Sequence, residues 1–200
     1  MNFTIYMEST PNPEVMKFVA NKILTEDSIE LLNNKNSDQV PLAMELFKFP
    51  FIKSIFISYN FISITKNNDI DWHEISTNVR EFINNYLNKN GFENNFKSSA
   101  DIEADLKNDN IIQHKLINTE NLSDFEKKIV SIIDQYIQPA VAADGGSIVF
   151  KSFEDGVVYV ILKGACSGCP SSTITLKQGI ENLLKQKLGN DIKEVTAYNG

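Results

Sequence analysis

The sequence predicts an α+β protein made of two small α/β-sandwich domains joined by a flexible linker, and three observations carry that prediction. Residues 1–88 hold short strand-like runs followed by one amphipathic helical stretch. Residues 123–200 read in the order helix, strand, strand, helix, strand. Between them, residues 89–122 change character: polar residues dominate, with apolar ones such as Phe92, Phe96, Ile111 and Ile112 only scattered among them. A chain of 200 residues with 42% hydrophobic content is enough for one large or two small folded units.

In the first unit, residues 3–7 read as an opening strand. It runs into Thr10-Pro11-Asn12-Pro13, where proline fixes φ and removes a donor, so the chain turns. Residues 16–19 suit a second strand. Residues 41–47 suit a short helix with Pro41 in its first turn, closed by Phe49-Pro50-Phe51. Residues 54–58 and 61–65, on either side of Tyr59-Asn60, have the pattern of a β-hairpin. Trp72, Ile75, Val79, Phe82 and Ile83 recur at helical spacing and define one buried face. Trp72 and the phenylalanines of 47–51 are read as core, because large apolar side chains are usually buried.

Residues 89–122 are dominated by Asn, Lys, Asp, Glu and Ser, too polar to offset the entropy of ordering a chain. The second unit opens on Ser123-Asp124-Phe125-Glu126, a capping box in which serine and glutamate satisfy otherwise orphaned amides. Phe125, Ile129, Ile132, Ile133 and Tyr136 line one helix face, and Pro139 should end or bend that helix. Asp144-Gly145-Gly146 makes a turn. Residues 148–153 and 157–162 are strands around Asp155-Gly156, a strong hairpin signal. Residues 174–188 are amphipathic through Leu176, Ile180, Leu183 and Leu184, Gly189-Asn190 stops them, and residues 192–198 add a last strand to one mixed sheet.

Composition removes several function classes. The net charge is −7 with no basic stripe, which argues against nucleic acid, whose affinity comes mainly from Lys and Arg neutralising phosphates. No run of about 18 apolar residues exists, so no membrane span is read. The opening residues lack a basic leader and a long apolar run, and the only arginine is Arg80, so neither a signal peptide nor an Arg-rich transit peptide is read. The expected location is the cytoplasm. No Ser/His/Asp constellation, phosphate-binding glycine loop or pair of catalytic carboxylates appears, so the protein is not expected to be an enzyme.

The chemistry lies in Cys166-Ser167-Gly168-Cys169-Pro170, which holds the only two cysteines of the chain. At this spacing two thiols at a strand-to-helix junction reach one point, and Gly164 and Gly168 allow the tight turn. The positive end of the following helix favours thiolate over thiol. Four readings compete: incidental buried cysteines, a dithiol for disulfide exchange, a zinc site, and a cluster shared between two copies of the chain. A thioredoxin-like dithiol usually sits in a βαβ context, whereas here a hairpin leads in and Pro170 follows the second cysteine. Zinc–thiolate and iron–sulfur sites both usually take four ligands. The missing ones must come from histidine, a small thiol or a second copy of the chain, and His73 and His114 stand far from the cysteines in sequence. Two copies of the chain would supply four thiolates, so on spacing the shared cluster ranks ahead of the others, which stay open.

Residues 162–181, from Leu162-Lys163-Gly164-Ala165-Cys166 through Gln178-Gly179-Ile180-Glu181, resemble the C-terminal domain of the NifU-like (Nfu) proteins. Pro139-Ala140-Val141-Ala142-Ala143-Asp144-Gly145-Gly146 looks like the upstream turn of the same family. Thr10-Pro11-Asn12-Pro13, Met16-Lys17-Phe18 and the Asp71-Trp72 helix resemble the Nfu N-terminal domain. The resemblance implies a scaffold or carrier for a [4Fe-4S] cluster, held by Cys166 and Cys169 of each chain in a homodimer. It further implies delivery to apo iron–sulfur client proteins and receipt from upstream iron–sulfur assembly machinery. Two positions depart from the family pattern: Gln138 stands where arginine is frequent, and Ser147 where aspartate is frequent. Neither is a ligand position, so both are read as bearing on partner or surface details.

Overall fold

Alternating apolar residues in the first third of the chain build one antiparallel sheet. The structure, a computed structural model, describes residues 2–32, 37–67, 69–92, 122–167 and 170–199, with backbone alone at 38 and 170–173. Strands β1 (Ile5–Ser9), β2 (Val15–Ala20) and β3 (Ile29–Leu32) precede helix α1 (Pro41–Leu46). The hairpin β4 (Ile52–Ser58) and β5 (Phe61–Lys66) follows, then helix α2 (Trp72–Asn90). The sheet order is β1-β2-β5-β4-β3. Strand β3 was not anticipated: Ile29-Glu30-Leu31-Leu32 is too short to establish a period, and pairing with β4 is what makes it a strand.

Each strand turns one set of side chains toward α1 and α2. Phe18, Leu31, Ile55, Ile57, Ile62 and Ile64 from the sheet meet Trp72, Val79, Ile83 and Leu87 from α2 in one buried cluster. The Asp71 carboxylate caps α2 by accepting from His73 N at 2.8 Å, and Gly91, at φ 74, closes it. Phe82, expected in the core, is only partly buried and sets its ring edge-on to Phe49 with centroids 5.2 Å apart. The β4–β5 turn places Tyr59 at φ 50, unusual for a bulky residue. Leu24 N and Thr25 N donate to its carbonyl at 2.7 and 3.1 Å, which holds the turn in place.

The second half begins with the capping box at Ser123 and Glu126, both halves of which form. Helix α3 (Asp124–Ile132) widens into a π-turn over Ile133–Ile137 before α4 (Gln138–Ala143), so Pro139 modifies the helical path without ending it. The wide turn corrects one expectation. Tyr136 is 45% exposed, whereas Ile137 is buried, because the extra residue in the turn moves the inward positions to Ile129, Ile133, Ile137 and Val141.

Strands β6 (Gly146–Glu154) and β7 (Val157–Gly164) form the hairpin, with Asp155 at φ 52 and Gly156 at φ 88, the left-handed pair that an Asp-Gly turn supplies. Helix α5 (Pro170–Leu188) then returns the chain so that β8 (Glu194–Asn199) lies parallel to β7, giving the mixed sheet β6-β7-β8. Ile129, Ile133, Val158, Val160, Leu162, Ile180, Leu184 and Val195 fill the core between this sheet and the helices. The fold class expected from the sequence is therefore the one observed. Most of the expected linker, residues 93–121, lies outside the described residues. Among the described residues no helix is long and apolar enough to cross a membrane.

Candidate metal centre

The cysteine loop grows from the open end of the β6–β7 hairpin. Gly146 pairs with Gly164 and Ser147 with Lys163, so the two strands end side by side. Gly164 takes φ 64 and turns the chain out of β7. Ala165 N then donates to Gly145 O at 3.1 Å, and Ser167 N to Gly164 O at 3.0 Å. Cys166, between them, is 6% exposed and packs in the C-terminal core. A Cβ on Gly146 would stand 2.7 Å from the Cys166 Sγ, so the absence of a side chain there is what makes room for the thiol. Gly146 was legible in the sequence only as part of a turn.

Of the sequence-predicted ligands, Cys166 is placed by the structure, and Cys169 lies outside the described residues together with Gly168. The backbone of α5 starts at Pro170, directly after them, as expected. His73 is exposed near the start of α2, and His114 falls outside the described residues. Among the described residues no group of three or more His, Cys, Asp and Glu gathers as a metal site. Both departures from the family pattern make contacts within the C-terminal half. Gln138 accepts from Ile148 N at 3.0 Å through its side-chain carbonyl, tying α4 to β6, and Ser147 is buried beside Lys163. Ser147 is thus a buried position and Gln138 a half-buried one with a structural contact.

The residues that sequence reasoning missed come from the other half of the chain. Glu8, Lys17, Ser63, Phe56 and Glu30, one from each strand, stand in a single cross-strand row on the sheet face opposite α2. This row meets the root of the cysteine loop. Lys17 Nζ bonds Glu8 at 2.9 Å and donates to Ala143 O at 3.2 Å. Ser63 Oγ donates to Gly145 O at 2.6 Å, and the Glu30 carboxylate accepts from Gly164 N at 3.1 Å. The Phe56 ring lies where a Cβ on Gly164 would come within 2.6 Å of it. From the neighbouring turn, Asn12 Nδ2 donates to Ala165 O at 3.3 Å, while its Oδ1 accepts from Glu14 N at 3.1 Å. By alternation Lys17 and Ser63 read as the solvent side of their strands, yet they are 7% and 2% exposed.

Burial raises the Glu30 carboxyl above its ordinary pKa, against the opposing pull of the Gly164 amide and the Lys163 charge. Burial lowers the Lys163 ammonium, against the pull of Glu30. A carboxyl whose pKa is raised on folding contributes stability that is present below its unfolded pKa and lost as pH rises through the raised value. The wild type should therefore lose folding free energy as pH rises from the ordinary glutamate range through the raised Glu30 value. Glu30→Gln, which keeps the acceptor oxygen, should flatten that slope, as read from urea unfolding at a series of pH values. An unchanged slope would show that Glu30 is not desolvated by the second half of the chain.

A pair of small α+β domains, the second carrying its cysteines on a loop between a strand and a helix, defines a protein of the NifU-domain class. The model of the scaffold protein Nfu/NifU N-terminal domain matches residues 5–90, and that of the NifU-like domain matches residues 129–196. The chain is 32% identical over 183 residues to the human NFU1 iron-sulfur cluster scaffold homolog, mitochondrial, covering 90% of this chain and 66% of that protein. It is 31% identical over 183 residues to NifU-like protein 5, mitochondrial, of Arabidopsis thaliana, covering 90% and 62%. The chain belongs to the NifU-like (Nfu) family. It spans less than two thirds of the length of these curated relatives. The expectation of a cytoplasmic protein is corrected here, since the relatives it matches are named as mitochondrial.

Proposed function

We propose that this protein is an iron–sulfur cluster scaffold or carrier that binds a [4Fe-4S] cluster through Cys166 and Cys169 of two copies and passes it to apo-proteins. One observation carries the reading: the only two cysteines of the chain stand three apart where β7 gives way to α5. Two thiolates per chain leave a cluster two ligands short, and a second copy supplies them. The relatives named iron-sulfur cluster scaffold homologs support the same reading. Gly146 keeps the space beside the Cys166 sulfur open, and the start of α5 adds a field that favours thiolate. Transfer is ligand exchange, in which client thiolates replace Cys166 and Cys169 on iron. Four ligands spread over two separable chains suit release, and cluster binding and dimer formation are coupled.

Anaerobic reconstitution with iron and sulfide tests this, with Mössbauer spectroscopy and light scattering on wild type and on Cys166→Ser/Cys169→Ser. The expected result is a [4Fe-4S] signal at one cluster per dimer in wild type, with the double variant monomeric and without cluster. An apo dimer as stable as the loaded one would sink the coupling. Iron-free turnover of a disulfide substrate by the two thiols, without cluster assembly, would replace the carrier reading with dithiol exchange.

A further inference from the structure

The cross-strand row on the N-terminal sheet does more than join two halves of a chain. Its polar side chains and Asn12 of the neighbouring turn bond to backbone atoms of the cysteine loop and its root: Glu30 to Gly164 N, Ser63 to Gly145 O, and Asn12 to Ala165 O. Cys166 is the next residue along, and its thiol faces the C-terminal core, not solvent. To turn that thiol outward, the peptide units on either side of Ala165 must rotate. Asn12 holds the Ala165–Cys166 unit through Ala165 O, Ser63 holds the carbonyl that accepts from Ala165 N of the Gly164–Ala165 unit, and Glu30 holds Gly164 N one unit earlier. Because the bonds are to main-chain atoms, they act on loop conformation directly. The same sheet face carries Val15, Phe56 and Phe61, at 3%, 2% and 4% exposure, whose re-exposure on release keeps the resting protein closed.

We propose that the helix-free face of the N-terminal sheet is a clasp on the cysteine loop. Asn12, Glu30 and Ser63 are positioning residues that hold Cys166 inward, and the sheet must let go before the loop accepts a cluster. The proposal rests on the reading of Cys166 as a cluster ligand, and its test needs no cluster. In a full-length Cys169→Ser background, Cys166 is the sole thiol, and its labelling by iodoacetamide is followed by mass spectrometry. Rates are normalised to the same chain in urea, so that the accessibility of the folded state is what is compared. The loss of two buried hydrogen bonds at their usual net worth shifts an opening equilibrium by roughly tenfold or more. Asn12→Ala/Ser63→Ala should therefore label about tenfold faster than its parent, with far-ultraviolet circular dichroism and Trp72 emission unchanged. Asn12→Ala alone, in a turn outside the strand pairing, is the gentler variant and should show a smaller rise in the same direction.

Unchanged protection in both variants, or a parent chain that labels at its unfolded rate, would overturn the clasp. Faster labelling in the variants alongside a wild type that assembles no cluster would remove the carrier reading and leave the hold on the loop standing. Cluster assembly in wild type with unchanged labelling in the variants would do the reverse.

Discussion

Gly164→Ala is expected to lower the unfolding free energy by about 2–5 kcal/mol and to loosen the two halves of the chain from each other. Two causes add. At φ 64 an L side chain is strained, by about 1–2 kcal/mol. The new methyl would also stand 2.6 Å from Phe56 Cδ1 and 2.8 Å from Gly145 O, overpacking worth about 1–3 kcal/mol. The Gly145 carbonyl belongs to the backbone and cannot step aside as the end of a flexible side chain would. Gly189→Ala separates the causes, since Gly189 sits at φ 77 with nothing within 4 Å of its added Cβ. It should cost only the backbone strain. Urea unfolding of the two variants reads the difference, and equal losses would mean that the sheet and the loop root are not in close contact. Phe56→Ala in the Gly164→Ala background should recover part of the loss, a coupling expected only of residues that touch.

Leu184→Ala should cost about 2–5 kcal/mol and fall on the C-terminal half. Leu184 is 0% exposed on α5, facing the cluster that contains Ile129, Ile133, Val158 and Val195. Deleting its branch removes apolar burial and leaves a cavity that close-packed neighbours fill only in part. Against a typical total of about 5–15 kcal/mol, the loss is large for so small a unit. The sole tryptophan, Trp72, lies in the N-terminal core and reports on that half alone. In Leu184→Ala, loss of helix by circular dichroism should therefore precede the change in Trp72 emission along a urea titration. Coincident transitions would show that the clasped halves unfold as one cooperative unit.

Local signals carried a large part of this fold because they act over a few residues. The Asp155-Gly156 hairpin, the Ser123–Glu126 capping box and the stop at Gly189 each depend on neighbours in sequence and formed as read, and so did the face of α2 except at Phe82. Errors came where distant chain decides. Strand β3 exists through its pairing with β4, and the inward-facing residue after Ile133 is set by a π-turn that a 3.6-residue period does not anticipate.

The candidate site divides along the same line. Local spacing supplies the pair of thiols on which the proposal rests: the only two cysteines of the chain, three apart, between a strand and a helix. The tertiary structure alone decided what surrounds them. Glu8, Lys17, Ser63, Phe56 and Glu30 are spread over five strands, and nothing in the neighbouring sequence of any of them points to the cysteine loop. Strand register sets them in one row, and docking of the second half turns that row inward onto Ala143, Gly145 and Gly164. The spacing of the two thiols is fixed by covalent geometry over a few residues, whereas the burial of the Cys166 loop depends on which surfaces meet across more than a hundred residues of chain.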